Sequence, residues 1–149
     1  MKQFTIALTI ALCFVGINAF TQTHSAFVII DQIVENIPEL EKQFTEQKQV
    51  FYKTDGIKPN ALKQISTIIN TIKVDALEIF VPTKPGAIVF SSIAITSKNV
   101  NEYAEELRTW NQHISNQVII NSNVVFDGKD GVLLKQQLEN ITGLSFSTN

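Results

Sequence analysis

Cysteine and histidine are nearly absent: the 149 residues hold one cysteine, Cys13, and two histidines, His24 and His113. The histidines stand far apart and without a second ligand at helical spacing, so the sequence supports no zinc site, and no metal or cofactor is expected. Basic residues are also few. Twelve Lys and Arg face 14 acids for a net charge of −2, and they form no cluster, which argues against nucleic acid or anionic lipid as a partner. There is no glycine-rich phosphate loop and no nucleophile elbow that would recruit a serine to His113. His113 is expected on a solvated helix face, and the carboxylates are scattered over solvent faces. A hydrolytic enzyme is therefore the least supported class, and the sequence reads as non-catalytic.

Long apolar runs are missing too, with one exception. Phe4 to Ile17 follows Lys2 and ends at Ile17 and Ala19, which suit the −3 and −1 positions of a signal-peptidase site. Residues 1–19 are read as a signal peptide, with a buried N-terminal helix or a membrane anchor as the competing readings. The run is shorter than the roughly 20 residues that span a bilayer. Cys13 would leave with it, because Leu12 replaces the small residue that a lipid-attachment cysteine needs before it. The mature chain, 20–149, then lacks cysteine and any transmembrane span, and must be held together by packing as one secreted domain.

What is abundant is apolar periodicity. From Pro59 to Phe80, Ala61, Leu62, Ile65, Ile68, Ile69, Ile72, Ala76, Ile79 and Phe80 recur at three- and four-residue steps, which predicts one central amphipathic helix. Ala26, Phe27, Ile30, Ile33, Val34 and Ile37 make a second stripe. It continues through Leu40, Phe44 and Phe51, with Asn36 and Pro38 marking a kink or a new start and Gly56 a stop. Pro82–Gly86 is a loop. Ala87–Thr96 favours a short helix over a strand, and Asn99 with Glu102 has capping-box spacing ahead of a helix running to Val118. Asn121–Asn123 interrupt two apolar triplets, Asp127–Gly131 form a turn, Leu134, Leu138 and Ile141 line a last helix closed by Gly143, and the tail is expected to be loose. The resulting expectation is an all-α fold, an irregular bundle of about five amphipathic helices. The alternative is α+β, with short strands in 77–96 and 118–126.

Two groups of residues stand out as candidate sites. Asn111 falls within the apolar arc of its predicted helix, where it is either a satisfied core amide or a polar handle in a ligand pocket with Tyr103 and Trp110. Asn140, Ile141 and Thr142 form an N-glycosylation acceptor, with Asn140 off the apolar stripe. The sequence thus favours an extracellular protein acting by surface interaction with another protein or cell surface. A carrier of a small hydrophobic ligand or lipid comes second, and oligomeric state is left open.

Overall fold

The computed structural model describes residues 24–47 and 49–149. The signal-peptide reading of 1–19 and the fate of Cys13 lie outside those residues.

Seven strands and four helices follow one another as β1 (His24–Asp31), α1 (Ile37–Glu46), β2 (Phe51–Thr54), α2 (Ala61–Ile69), β3 (Val74–Phe80), β4 (Ala87–Val89), β5 (Ala94–Thr96), α3 (Ala104–Arg108), β6 (Ile114–Asn121), α4 (Gly128–Thr142) and β7 (Ser145–Thr148). Short 3₁₀ turns flank α3 at Val100–Tyr103 and Trp110–Gln112. Five strands make one sheet in the order β2-β1-β3-β6-β7, and β4 with β5 forms a separate hairpin. Every pairing in the large sheet is parallel, whereas the hairpin is antiparallel.

The all-α bundle is therefore overturned. The alternative fits, since strands do fall within 77–96 and 118–126, but β1, β2 and β7 lie where helix or loose chain was expected. The cause is burial on both faces. A parallel strand covered on both sides reads as an unbroken apolar run, and Phe27, Val28, Ile29 and Ile30 are all buried. A run of that kind matches a 3.6-residue period as well as a period of two. The proposed Pro59–Phe80 helix is in fact α2, a turn at Asn70–Lys73, and the central strand β3. Likewise, Ile114 and Val118 belong to β6 and not to a helix begun at Asn99. Asn99 does not cap that helix; its Oδ1 accepts the Thr96 N–H at 2.7 Å and its Nδ2 donates to the Ala94 carbonyl at 2.9 Å, closing the hairpin.

Helices α2, α3 and α4 share one face. There Leu62, Ile65, Ile69, Leu107, Trp110, Leu134 and Leu138 pack with Phe27, Ile29, Leu77, Ile79, Val118, Ile120 and Phe146. The other face holds a smaller cluster, in which α1 sets Phe44 over Val28 and Ile30 with its ring 5.4 Å from Phe80 and 6.2 Å from Phe51. Beyond that helix the same face runs out over Glu78, Gln117, Ile119, Asn121 and Ser147. These are half-buried and mostly polar, as suits a sheet surface that none of the described helices covers.

Local signals fix the helix ends. Asn60 Oδ1 accepts the Lys63 N–H at 3.1 Å and starts α2, and Gly143, at φ 71°, closes α4. Asn36 precedes α1 at φ 59° with no side-chain capping bond, so it marks the new start by a left-handed turn and not by a side-chain cap. Gly131 is buried in the first turn of α4, where a Cβ would lie 2.5 Å from the Phe126 carbonyl carbon.

Candidate functional site

Strand order reverses between β1 and β3: one crossover leads outward to β2 and the next returns to β3. In open parallel sheets this reversal leaves a crevice outside the carboxyl ends of the two strands, and ligands bind there. A crevice of about 440 Å³ lies at this place, lined by Ile33, Val34 and Glu35 after β1 and by Val81, Pro82 and Thr83 after β3. Its walls combine aliphatic side chains with one carboxylate and one hydroxyl.

The loop after β1 is fastened by Asp31, the last residue of that strand, which is fully buried and also ties in β2 and the β4–β5 turn. Its Oδ1 accepts the N–H of Ile33 at 3.1 Å and of Ser91 at 2.9 Å. Its Oδ2 accepts the hydroxyls of Thr54 at 2.7 Å and Ser91 at 3.1 Å. Four donors from three connections fill the carboxylate's acceptor positions, so Asp31 is a clip and not an open ligand. Ser92, next in the hairpin turn, extends the fastening, because its Oγ accepts the Ala61 N–H at 2.9 Å at the start of α2. Gln64 braces the β2–α2 connection from below: its Oε1 accepts the Asp55 N–H at 3.2 Å and its Nε2 donates to the Pro59 carbonyl at 2.8 Å. Of the crevice walls, the one after β1 is thus fixed at Ile33, and the remaining bonds tie together the neighbouring β2–α2 connection and the β4–β5 turn.

At the carboxyl end of the neighbouring strand β6, the Ser122 hydroxyl and the Asn121 Nδ2 are buried with no hydrogen-bond partner. Orphaned polar atoms cost free energy unless water or a ligand meets them, so this edge retains unused hydrogen-bonding capacity.

The residues singled out from the sequence lie elsewhere. Trp110 is 2% exposed, and its Nε1–H donates to the Ser66 hydroxyl at 2.9 Å. The void beside it, shared with Leu62, Ile79, Phe90 and Leu138, is only about 10 Å³, no more than one water requires. Tyr103 is half-buried against the same core, but Asn111 is exposed. The interior amide expected from the helical wheel does not exist because the helix ends before it. Asn111 instead borders a depression of about 290 Å³ at the amino edge of β3 and β6, together with Lys73, Asp75, His113 and Ser115. There Ser115 Oγ donates to Asp75 Oδ1 at 3.0 Å, and His113 Nδ1 lies 3.3 Å from the Ile72 carbonyl oxygen. Asn140 is exposed on α4, while the Thr142 hydroxyl of its acceptor motif is buried and donates to the Leu138 carbonyl at 2.8 Å. Asp31, Thr54, Ser91 and Gln64 went unnoticed in the sequence. For Asp31 and Ser91 the cue was a polar residue closing a short apolar run, whereas Thr54 follows Lys53 and Gln64 lies inside α2, and neither had that cue.

Among the described residues, no three His, Cys, Asp or Glu side chains gather as metal ligands, and no helix is long and apolar enough to cross a membrane.

A parallel sheet with its first reversal between β1 and β3, helices on both faces and a crevice at the reversal define a doubly wound α/β domain. The family described as a domain of unknown function, DUF4347, matches residues 27–149, and the chain belongs to that family. No curated protein matches the chain. Among solved structures, a Corynebacterium diphtheriae protein described as a candidate PLP-dependent β-cystathionase is similar at 13% identity and a TM-score of 0.45. The match covers 80% of this chain and 30% of that one. Similarity at that level carries no functional argument.

Proposed function

We propose that the chain is an exported, non-catalytic recognition domain that meets a partner protein or cell surface through the carboxyl edge of its sheet. The observation that carries this reading is the crevice at the β1/β3 reversal, open to solvent, with the wall after β1 held by Asp31 at the Ile33 N–H. A wall fixed before binding loses little conformational freedom on association. Asp31, behind the wall, has its acceptor positions filled, which leaves Glu35 as the lining's single carboxylate, and one carboxylate without a paired acid or base favours recognition over acid–base chemistry. Export is supported by Lys2, the apolar run after it and the Ile17/Ala19 pair. Carriage of a small hydrophobe is the second reading, favoured by the aliphatic walls of Ile33, Val34, Val81 and Pro82.

A native mass spectrum of protein from its own source tests both readings: a co-purifying protein supports the first and a bound lipid the second. The same material should begin at Phe20, and retained Met1 would refute the leader. Ile33→Asp and Thr83→Trp alter exposed crevice residues and should weaken capture of the partner at unchanged melting temperature. Unchanged capture would remove the crevice from the reading.

A further inference from the structure

β7 is the outermost strand of the sheet on the side away from β2. Its inner edge pairs with β6 from Gln117↔Ser145 to Ile120↔Thr148, and the Asn149 N–H continues inward to the Ile120 carbonyl at 3.3 Å. Backbone alternation along a strand therefore turns the N–H and C=O groups of Phe146 and Thr148 outward, off the sheet. Such an edge is a template for another strand, and proteins blunt it with lysine, proline or a bulge. The sequence Ser145-Phe146-Ser147-Thr148 supplies no lysine or proline, and its register with β6 is unbroken. The opposite edge is better protected, since β2 carries Lys53, held 2.6 Å from Glu41.

On β7 the blunting comes from a neighbouring helix. Glu139 Oε1 accepts the outward Phe146 N–H at 3.0 Å, with the Lys135 ammonium 3.9 Å from the same oxygen. The turn between α4 and β7 is built to place that carboxylate. Gly143 takes the left-handed conformation, and the Thr142 hydroxyl accepts the Leu144 N–H at 3.1 Å while donating to the Leu138 carbonyl at 2.8 Å.

We propose that the outer edge of β7 is a strand-addition surface for a second copy of this chain, and that Glu139 holds it shut. Charge selects the occupant. An antiparallel β7–β7 pair about a twofold axis sets only uncharged Ser, Phe, Ser and Thr side chains against one another, so no like charges face across it. The outer edge of β2, by contrast, carries the charged Lys53 with its partner Glu41. The adjoining sheet face, over Gln117, Ile119 and Ser147, carries none of the described helices, so none of them stands in the way of a second sheet edge on that side. Withdrawal of Glu139 frees the Phe146 N–H, and two copies then satisfy each other's outward groups at Phe146 and Thr148.

Glu139→Ala and Glu139→Gln in the full chain, followed by light scattering over a concentration series, test this. The wild type and Glu139→Gln should be monomers with a slowly exchanging Phe146 amide, because glutamine keeps a carbonyl acceptor. Glu139→Ala should shift with concentration to twice the monomer mass. Adding Thr148→Pro, which removes the second outward N–H, or Ser147→Lys, which sets lysines near each other across the twofold, should return that variant to the monomer. A Glu139→Ala chain that remains monomeric while its Phe146 amide exchanges faster would overturn the proposal. So would a dimer that survives both second-site changes, or a wild-type chain already dimeric through this edge.

Discussion

Asp31 makes the sharpest test of how the crevice is held, because its two simplest replacements should behave differently. Asp31→Ala removes the acceptor for Ile33 N–H, Ser91 N–H and the Thr54 and Ser91 hydroxyls at once. Thr54 is fully buried, so its hydroxyl is left without a partner or water, at a cost of about 1–3 kcal/mol. Ile33 and Ser91 are partly exposed, and water can meet the groups they lose, so each bond forfeits only about 0.5–1 kcal/mol. The total is about 2.5–6 kcal/mol, a large share of the roughly 5–15 kcal/mol that holds a domain together. Asp31→Asn keeps the shape. Its Oδ1 still accepts the two backbone N–H groups, and the new NH₂ faces two hydroxyls that can rotate to accept it. What goes is the charge assistance, and with it the burden of a buried carboxylate that forms no ion pair among the described residues, so the net loss should stay under about 1.5 kcal/mol. Urea melts of the three proteins give these differences directly. Amide exchange at residues 54–57 and 91–93 should rise in Asp31→Ala before global unfolding and barely change in Asp31→Asn. If the asparagine variant were as unstable as the alanine variant, the carboxylate's charge rather than its hydrogen bonds would be what holds the rim, and the clip would be wrong.

Three further outcomes follow from packing. Ile79→Ala in the middle of β3, where Ile79 is 1% exposed, should cost about 2–5 kcal/mol in denaturant melts, while Thr67→Ala on the exposed side of α2 stays within about 0.5 kcal/mol of neutral; similar small losses would mean that β3 is not the core of the sheet. Ser66→Ala leaves the buried Trp110 N–H without its acceptor and should lower stability by about 1–3 kcal/mol with a change in tryptophan emission, and an unchanged spectrum and midpoint would count against that bond. Gly131→Ala drives a methyl group into the Phe126 backbone at 2.5 Å and should exceed about 3 kcal/mol. By contrast Gly128→Ala, with φ 69° and open space around it, should cost only about 1–2 kcal/mol for its left-handed backbone; the reverse order would show that α4 does not press on the β6–α4 loop.

The elements legible in the sequence are those whose signals are local and one-sided. α4 exposes Lys129, Gln136 and Asn140 while it buries Leu134 and Leu138, and a glycine ends it. The Pro82–Gly86 loop announces itself by composition. β1 was illegible because both its faces are covered, which removes the polar alternation that separates a period of two from one of 3.6, and the other strands are too short or too irregular in their alternation to supply it. Length could have decided between them. The run from Val74 to Phe80 is seven residues, bounded by Asn70-Thr71 before and Pro82 after, and that is short for a helix and ordinary for a strand. Asn60, a capping residue immediately before Ala61, also sets where the real helix begins.

The candidate site was hidden for a different reason: nothing in it is close in sequence. Asp31 reaches Thr54 across 23 residues and Ser91 across 60, and those separations close only when a crossover helix returns the chain beside its starting strand. Tyr103, Trp110 and Asn111, by contrast, drew notice because they are neighbours on a wheel, and a helix that ends early separates them, placing Trp110 in the core and Asn111 in solvent. The usable clue is positional rather than local. Asp31 closes the run Phe27–Ile30, Thr54 closes Phe51–Lys53, and Ser122 follows Val118–Asn121, each a polar side chain at the carboxyl end of a strand and each buried. A helix stripe gives no reason for a buried polar residue to recur after successive apolar runs. A parallel sheet does, because its carboxyl ends are where connecting loops converge and must be fastened, and the same convergence leaves the crevice at the point where the strand order reverses.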